Sequence, residues 1–535
     1  MNMFLRLSCT TAALMIPAVG HAAPGTADAP VPPQAAPVAA PVALALAPAA
    51  STAPAQGGST NSNSPSVFPG PVPDKGTARP VAQEYPSTGV GDGVTAGGYN
   101  QSRWAEDWSK YRDPKKRDDI LDRLKYIPIL SDEVYLTLSG EFRARVNLTT
   151  NPNLRDREAQ RQDIFRVVGG ADLHIGDHVR LYGELAHAGM SGRNLGVKAG
   201  QLHNDLVVQQ SFVDVKGELG GVDVGVRYGR QTFADGPNLM VVPRDNNTIF
   251  FVYNGVRAWA KGDRIRGDVF DFKTTRLGVG GTRDDIVDDN RRFSGGTAGF
   301  VLPKTLFGGS NLFFDPFVWG LRNSNAVWGG RTAEEVRKFY GLHLYGDAGP
   351  VNLDWTVNYQ GGEFDDRPIS AWLVLLQQTY KVGKSKTAPR VGFHFDYASG
   401  GNSYNGGTLK TSLAPFGNNI YYSYQLYATP TNLIAFAPSV QFQPHSKVRV
   451  AAEYQLSWRD SLNDAVYRAN GQAFAGTQLG DSRKIADTIR LQAIYAISPR
   501  VSITGRYEHL IAGPALTDAG YRSSDFLAGW ISFRF

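Results

Sequence analysis

From Val134 to the last residue the chain alternates apolar and polar side chains with a period of two, and this limits its fold more than any other feature. In residues 134–148 the even positions Val134, Leu136, Leu138, Gly140, Phe142, Ala144, Val146 and Leu148 are apolar or small. The odd positions Tyr135, Thr137, Ser139, Glu141, Arg143, Arg145 and Asn147 are polar or charged. A strand built this way has one greasy face and one wet face. About eighteen such segments can be read, near 134–148, 163–175, 178–188, 208–217, 222–231, 250–260, 264–272, 293–302, 310–322, 336–346, 350–361, 369–380, 389–399, 431–443, 446–458, 484–497, 500–509 and 524–535. Segments 208–217 and 369–380 alternate poorly.

A soluble sandwich or propeller also alternates, so the connections decide. They run long, short, long, short: residues 149–162 precede Gly176-Asp177, residues 189–207 precede 217–221, and residues 232–249 precede 261–263. Near the end, 400–430 precedes Pro444-His445, 459–483 precedes Ser498-Pro499, and 510–523 precedes the last strand. Short periplasmic turns alternating with long outer loops predict an all-β fold, a transmembrane antiparallel up-and-down barrel of about 18 strands in the outer membrane of a Gram-negative bacterium. The final strand ends on Phe535, with Leu527, Gly529, Ile531 and Phe533 on the same face. A terminal aromatic on an alternating strand is what barrel-assembly machinery is expected to engage. Beyond the first 20 or so residues no stretch of about 18 apolar residues lacks proline, so no apolar helix is expected to cross a bilayer.

The remainder divides by composition. Residues 1–22 carry Arg6, the apolar stretch 7–19 and Gly20-His21-Ala22, and read as a secretory signal peptide cut after Ala22. Cys9, the one cysteine, lies inside it, so no disulfide or thiol chemistry is expected in the mature chain. Residues 23–100, with 14 prolines between Pro24 and Pro86, read as a disordered periplasmic linker, partly polyproline, that could meet a periplasmic partner. Residues 101–133 read as a short periplasmic helical segment, from the spacing of Trp104, Trp108, Tyr111, Ile120, Leu121 and Leu124. Residues 134–535 make the barrel.

If the apolar face meets lipid, the charged face must line the lumen. That places Arg143, Arg145, Arg166, Arg180, Arg227, Arg257, Arg264, Arg266, Arg337, Arg449, Arg490 and Arg506 inside, against little lysine beyond Lys216. A planar guanidinium grips a carboxylate with two parallel hydrogen bonds, whereas an ammonium is a point charge. Glu141, Asp172, Glu184, Asp214, Asp223, Asp268, Asp315, Asp354, Asp396, Glu453 and Glu508 also point inward, so many arginines are expected in cross-strand ladders that stiffen the wall.

Other chemistry finds little support. The 55 basic and 49 acidic residues are interspersed, which argues against nucleic acid. The nine histidines show no metal-ligand spacing, and no cofactor is expected. Asp284, Asp285, Asp288 and Asp289 read as a solvated acidic loop before they read as a calcium site. A barrel hydrolase would need a Ser or Asp with His187 or His509 near strand ends. The chain is therefore read as a channel and not an enzyme.

Several blocks resemble the alginate export family of outer-membrane porins. They are Leu124-Lys125-Tyr126-Ile127-Pro128-Ile129 leading into Leu138-Ser139-Gly140-Glu141-Phe142-Arg143-Ala144-Arg145, then Tyr228-Gly229-Arg230-Gln231, and Pro389-Arg390-Val391-Gly392 with Asp396-Tyr397-Ala398-Ser399-Gly400. Trp458-Arg459 with Asp464-Ala465-Val466-Tyr467, and Tyr507-Glu508-His509 with Gly513-Pro514-Ala515-Leu516, complete the likeness over roughly residues 120–535. The resemblance implies a monomeric barrel with an electropositive, arginine-rich pore for an anionic saccharide such as alginate. It adds Arg230 to the wall positions and singles out Arg143 and Arg145. A general porin for small carboxylates is the alternative.

Overall fold

The computed structural model describes Tyr99 and residues 102–535, apart from 197, 238, 386 and 470. The expected signal peptide and nearly all of the linker lie outside the described residues.

The alternating segments become strands: β1 (Ile127–Ser131), β2 (Val134–Thr149), β3 (Gln160–Ile175), β4 (Val179–Ser191), β5 (Asn204–Leu219), β6 (Val222–Gln231), β7 (Tyr253–Lys261), β8 (Ile265–Arg276), β9 (Ile286–Val301) and β10 (Ser310–Trp328). The second half supplies β11 (Arg331–Ala348), β12 (Val351–Phe364), β13 (Arg367–Lys381), β14 (Arg390–Ala398), β15 (Leu433–His445), β16 (Val448–Trp458), β17 (Lys484–Ala496), β18 (Val501–Ala512) and β19 (Ser524–Arg534). From β2 onward each strand is antiparallel to the next. β19 returns to β2, from Phe526 opposite Thr149 to Arg534 opposite Glu141. Closure leaves an 18-strand barrel without a free edge, so each strand's backbone groups find partners in the sheet. β1 only lies against the start of β2, with Ile127 opposite Leu136.

All eighteen expected segments fall on strands, including the two that alternate poorly. The largest shift is in β9, which starts at Ile286 and not near 293. Its polar run 288–292 extends the β8 hairpin through the ion pairs Lys273–Asp289 and Arg292–Asp271, both 2.5 Å, at exposed positions.

Alternation sorts the faces as the pattern requires. Phe142, Val146, Leu181, Val226, Tyr228, Val318, Trp372, Leu527 and Ile531 are exposed on the outside, while Thr137, Ser139, Glu141, Arg143, Arg145, Asn147 and Thr149 of β2 are all buried. Gly140 is bare where the Phe535 ring lies over it, and the two residues exchange backbone hydrogen bonds of 2.9 and 3.1 Å.

The interior is filled from both ends. At the short-turn end, where the spacing predicts amphipathic helices outside the barrel, the chain instead makes four 3₁₀ turns, Arg103–Ala105, Ser109–Arg112, Pro114–Lys116 and Ile120–Lys125. They enter the barrel mouth: Trp104 meets Phe212 edge-on at 6.1 Å, and its Nε1–H donates to Thr232 Oγ1 at 3.1 Å. Breakers such as Pro114 keep the turns short, and their aromatic and basic side chains suit a polar wall. Outside the membrane strands, the Arg500 guanidinium holds the Asp119 carboxyl below the usual carboxylate range.

At the long-loop end, residues 232–252 between β6 and β7 and residues 399–432 between β14 and β15 fold inward and meet. Val241 bridges Phe416, and the Phe416 N–H donates to Met240 O at 2.9 Å. A methyl group on Gly417 would overlap the Leu239 carbonyl, so only glycine allows this approach. Leu239, Met240, Val241, Phe416, Tyr421 and Tyr422 pack with wall residues Phe272, Phe293, Trp319 and Phe339. The hydrophobic core therefore sits inside the barrel.

Candidate functional site: the arginine-lined lumen

Ten of the thirteen expected arginines are buried inside: Arg143, Arg145, Arg166, Arg180, Arg227, Arg257, Arg266, Arg337, Arg490 and Arg506. Three are placed otherwise. Arg230 shares the outer face of Val226 and Tyr228, where Nε donates to Asn254 Oδ1 at 2.9 Å and Nη1 to Val208 O at 3.0 Å, so alternation overrides the expected wall role. Arg264 has the inward parity but precedes β8 in an exposed turn. Arg449 shares the inward parity of Glu453 near the short-turn end and is half-buried. Of the acids expected inside, only Asp223 is exposed, beside the short turn before β6.

Most buried arginines are consumed by the wall. Arg180 grips Asp172 with two bonds of 2.8 Å, and Arg227 grips Asp214 with bonds of 2.6 and 2.7 Å, directly across the β5–β6 ladder. Arg257 bonds Asp268 at 2.7 Å. Arg266 reaches Asp268 and Asp235 at 3.1 Å and Asp315 at 2.8 Å. Arg337 joins Glu335, Gln360 and the Thr411 carbonyl. Arg490 pairs with Glu453 and donates to the carbonyls of Ile420 and Tyr421. Each is a charge-assisted contact in a low-dielectric interior, where a lost partner is costly.

A different arrangement spans β2, β3, β18 and β19. The tip of the 232–252 loop rests there: Arg143 Nη2 donates to both Asp245 carboxylate oxygens at 3.2 and 3.0 Å, and Arg166 Nη2 donates to Oδ1 at 2.8 Å. Arg145 Nη1 donates to the Asn246 carbonyl and Oδ1 at 3.1 and 3.2 Å, and Arg506 Nη1 to that Oδ1 at 3.0 Å. The half-buried Trp530 ring lies 5.1 Å from the Arg145 guanidinium and 4.9 Å from that of Arg506. Behind them Glu141 takes Arg166 at 2.5 Å, Arg143 at 3.1 Å, Arg534 at 3.7 Å, and Arg103 from the N-terminal segment. Arg103 also meets Glu184 at 3.0 Å. Among the described residues, four guanidiniums (Arg103, Arg143, Arg166, Arg534) thus pair with three carboxylates (Glu141, Glu184, Asp245), and two more (Arg145, Arg506) hold the adjoining Asn246.

Sequence reasoning missed Arg103, Arg534, Asp245 and Asn246. Arg534 has the parity of Ser532 and could have been found on it; the others sit on segments without periodicity. Asp284 and Asp285 accept backbone amides of residues 278–280, and among the described residues no group of three or more His, Cys, Asp or Glu could hold a metal. His187 and His509 have the outward parity of their strands.

A search of the curated proteins returns no match. Among solved structures the fold is similar to OccAB1 of Acinetobacter baumannii, at 10% identity over 77% of this chain and 99% of that chain, with a TM-score of 0.50. It is also similar to a BenF-like porin of Pseudomonas fluorescens Pf-5, at 10% identity over 75% of this chain and 98% of that one, with a TM-score of 0.50. The sequence model for alginate export matches residues 134–529.

Proposed function

This chain belongs to the alginate export family of outer-membrane β-barrel channels, and from that premise we propose that it passes anionic saccharides, alginate-like polyuronates foremost, along its arginine-bearing wall. The observation that carries the reading is the excess of guanidinium beside the β2–β3–β18–β19 wall, where four groups share three carboxylates and two more, Arg145 and Arg506, have only neutral Asn246 between them. Such an excess in a low-dielectric setting attracts anions and repels cations. Forked donors suit the planar carboxylate that each uronate unit repeats, and the Trp530 face offers a surface for a sugar ring. Several weak contacts in series let a polymer advance, whereas one tight site would stop it.

A second reading, passage of small carboxylates, draws on the filling of the lumen by two loops and the N-terminal turns. Planar-bilayer recordings with reversal potentials separate the readings. Anion preference with current block by oligomannuronate is expected, and block by monomeric glucuronate alone would favour the second. A cation preference that oligomannuronate leaves unaltered overturns both.

A further inference from the structure

We infer that the Asp245–Asn246 loop tip is a built-in stand-in for the cargo, occupying the carboxylate site of Arg143, Arg145, Arg166 and Arg506 until an incoming uronate carboxylate displaces it. The inference rests on the channel reading above and names the residues that hold the carboxylate and the element that competes for them.

The first ground is chemical. The tip presents one carboxylate to Arg143 and Arg166, and neutral oxygens to Arg145 and Arg506 within 3.2 Å. A uronate unit offers the same set, a carboxylate with hydroxyl and ring oxygens beside it. Exchanging one carboxylate for another leaves every guanidinium paired, so the swap avoids the penalty of an uncompensated buried charge.

The second ground is mechanical. The loop's base is fixed in the core, with Leu239, Met240, Val241, Val242, Ile249 and Phe250 all buried. Its neck is closed by the Phe251 N–H donating to Pro243 O at 2.8 Å, and a turn inside the neck is closed by the Asn247 N–H donating to Arg244 O at 2.9 Å. Beyond that neck the Thr248 and Ile249 N–H groups both donate to Gln201 O at 3.0 Å, which leaves residues 244–247 as the tip, and Arg244 adopts the left-handed conformation, φ 63°. A residue with a Cβ holds that conformation only when its surroundings impose it. Here the surroundings are the turn to Asn247, the Arg244 Nε donating to Phe416 O at 3.3 Å, and the guanidiniums that grip the next two residues. The Asp245 side chain keeps 15% of its surface exposed and Arg143 keeps 8%, so the pair borders solvent and an anion can approach.

The experiment uses the full-length protein in planar bilayers, with oligomannuronate as the probe. Asp245→Asn keeps the side chain's shape and removes its charge. It is expected to raise conductance and the anion-over-cation permeability ratio, and to lower the half-blocking oligomannuronate concentration about tenfold, the scale of one charge-assisted contact. If wild-type current is anion-selective and blocked while the variant is indistinguishable from it, the stand-in is wrong and the channel reading survives. If wild-type current ignores oligomannuronate, the polyuronate reading falls and the stand-in with it. Should Asp245→Asn assemble poorly, Asn247→Cys in a Cys9→Ser background supplies a second readout. Its labelling by a charged thiosulfonate should accelerate when oligomannuronate is added, and an unchanged or slower rate overturns the displacement.

Discussion

The two inward loops enter from the same end of the barrel and touch each other, yet they are held by different physics. Residues 399–432 are fastened along their length: Phe416, Tyr421 and Tyr422 lie in the aromatic core, and the carbonyls of Ile420 and Tyr421 take Arg490. Glu508 binds Ser423 Oγ at 2.7 Å, Gln425 Nε2 at 3.0 Å and the Tyr424 amide. Residues 232–252 share that core only at their base; their tip also has backbone ties, but the charge that anchors it is the Asp245 carboxylate between Arg143 and Arg166. Apolar burial and backbone acceptors have no soluble competitor, whereas a carboxylate has one in every anion that enters the lumen. One loop is therefore structural, and the other is the one proposed to answer to anions.

The strongest way to break this contrast is to attack the structural loop. Arg490→Ala leaves Glu453 buried without its guanidinium and the loop without a clasp, and is expected to cost about 3–5 kcal/mol. Urea unfolding in detergent micelles, read beside the heat-shifted gel mobility of the folded barrel, measures it; a change below about 1 kcal/mol would show that the clasp is incidental. Arg145→Gln tests the other side at smaller energy. Arg145 donates to Asn147, Asn246 and the Trp530 face, so its loss is expected to change stability by about 1 kcal/mol or less. The anion-over-cation permeability ratio should nevertheless fall about two- to fivefold, because one positive charge leaves the cluster. Equal losses of stability for the two variants would erase the distinction between the loops.

The smallest effect concerns the N-terminal turns, a third occupant of the interior. Arg500 lowers the Asp119 pKa through its hydrogen bond, so this tie is present above the unfolded carboxyl value of about 3.9 and is lost as pH falls through the lower folded value. Fluorescence of Trp104 and Trp108 should stay flat from about pH 7 to about pH 4 and change only below it. A transition near neutral pH would point to another tie.

The strands were legible because lipid and the lumen impose opposite chemistry on alternate residues, a constraint written at every position of β2–β19. Even the poorly alternating segments 208–217 and 369–380 fall within β5 and β13. The wall arginines were legible by the same parity, which also corrects Arg230: its block resembles the family, but residue 230 shares the parity of Val226 and Tyr228. Arg264 shows where parity stops, since a residue in the exposed turn before β8 escapes the wall.

Asp245, Asn246 and Arg103 carried no such mark. Periodicity reports which face of a strand a residue occupies, and a loop or turn folded back into the lumen has no face to report. The local pattern along the chain thus determined the closed sheet and the sign of its inner surface. Only the tertiary fold decided which guanidiniums meet the loop tip or the N-terminal turn, because those contacts join residues 79 to 260 apart in sequence.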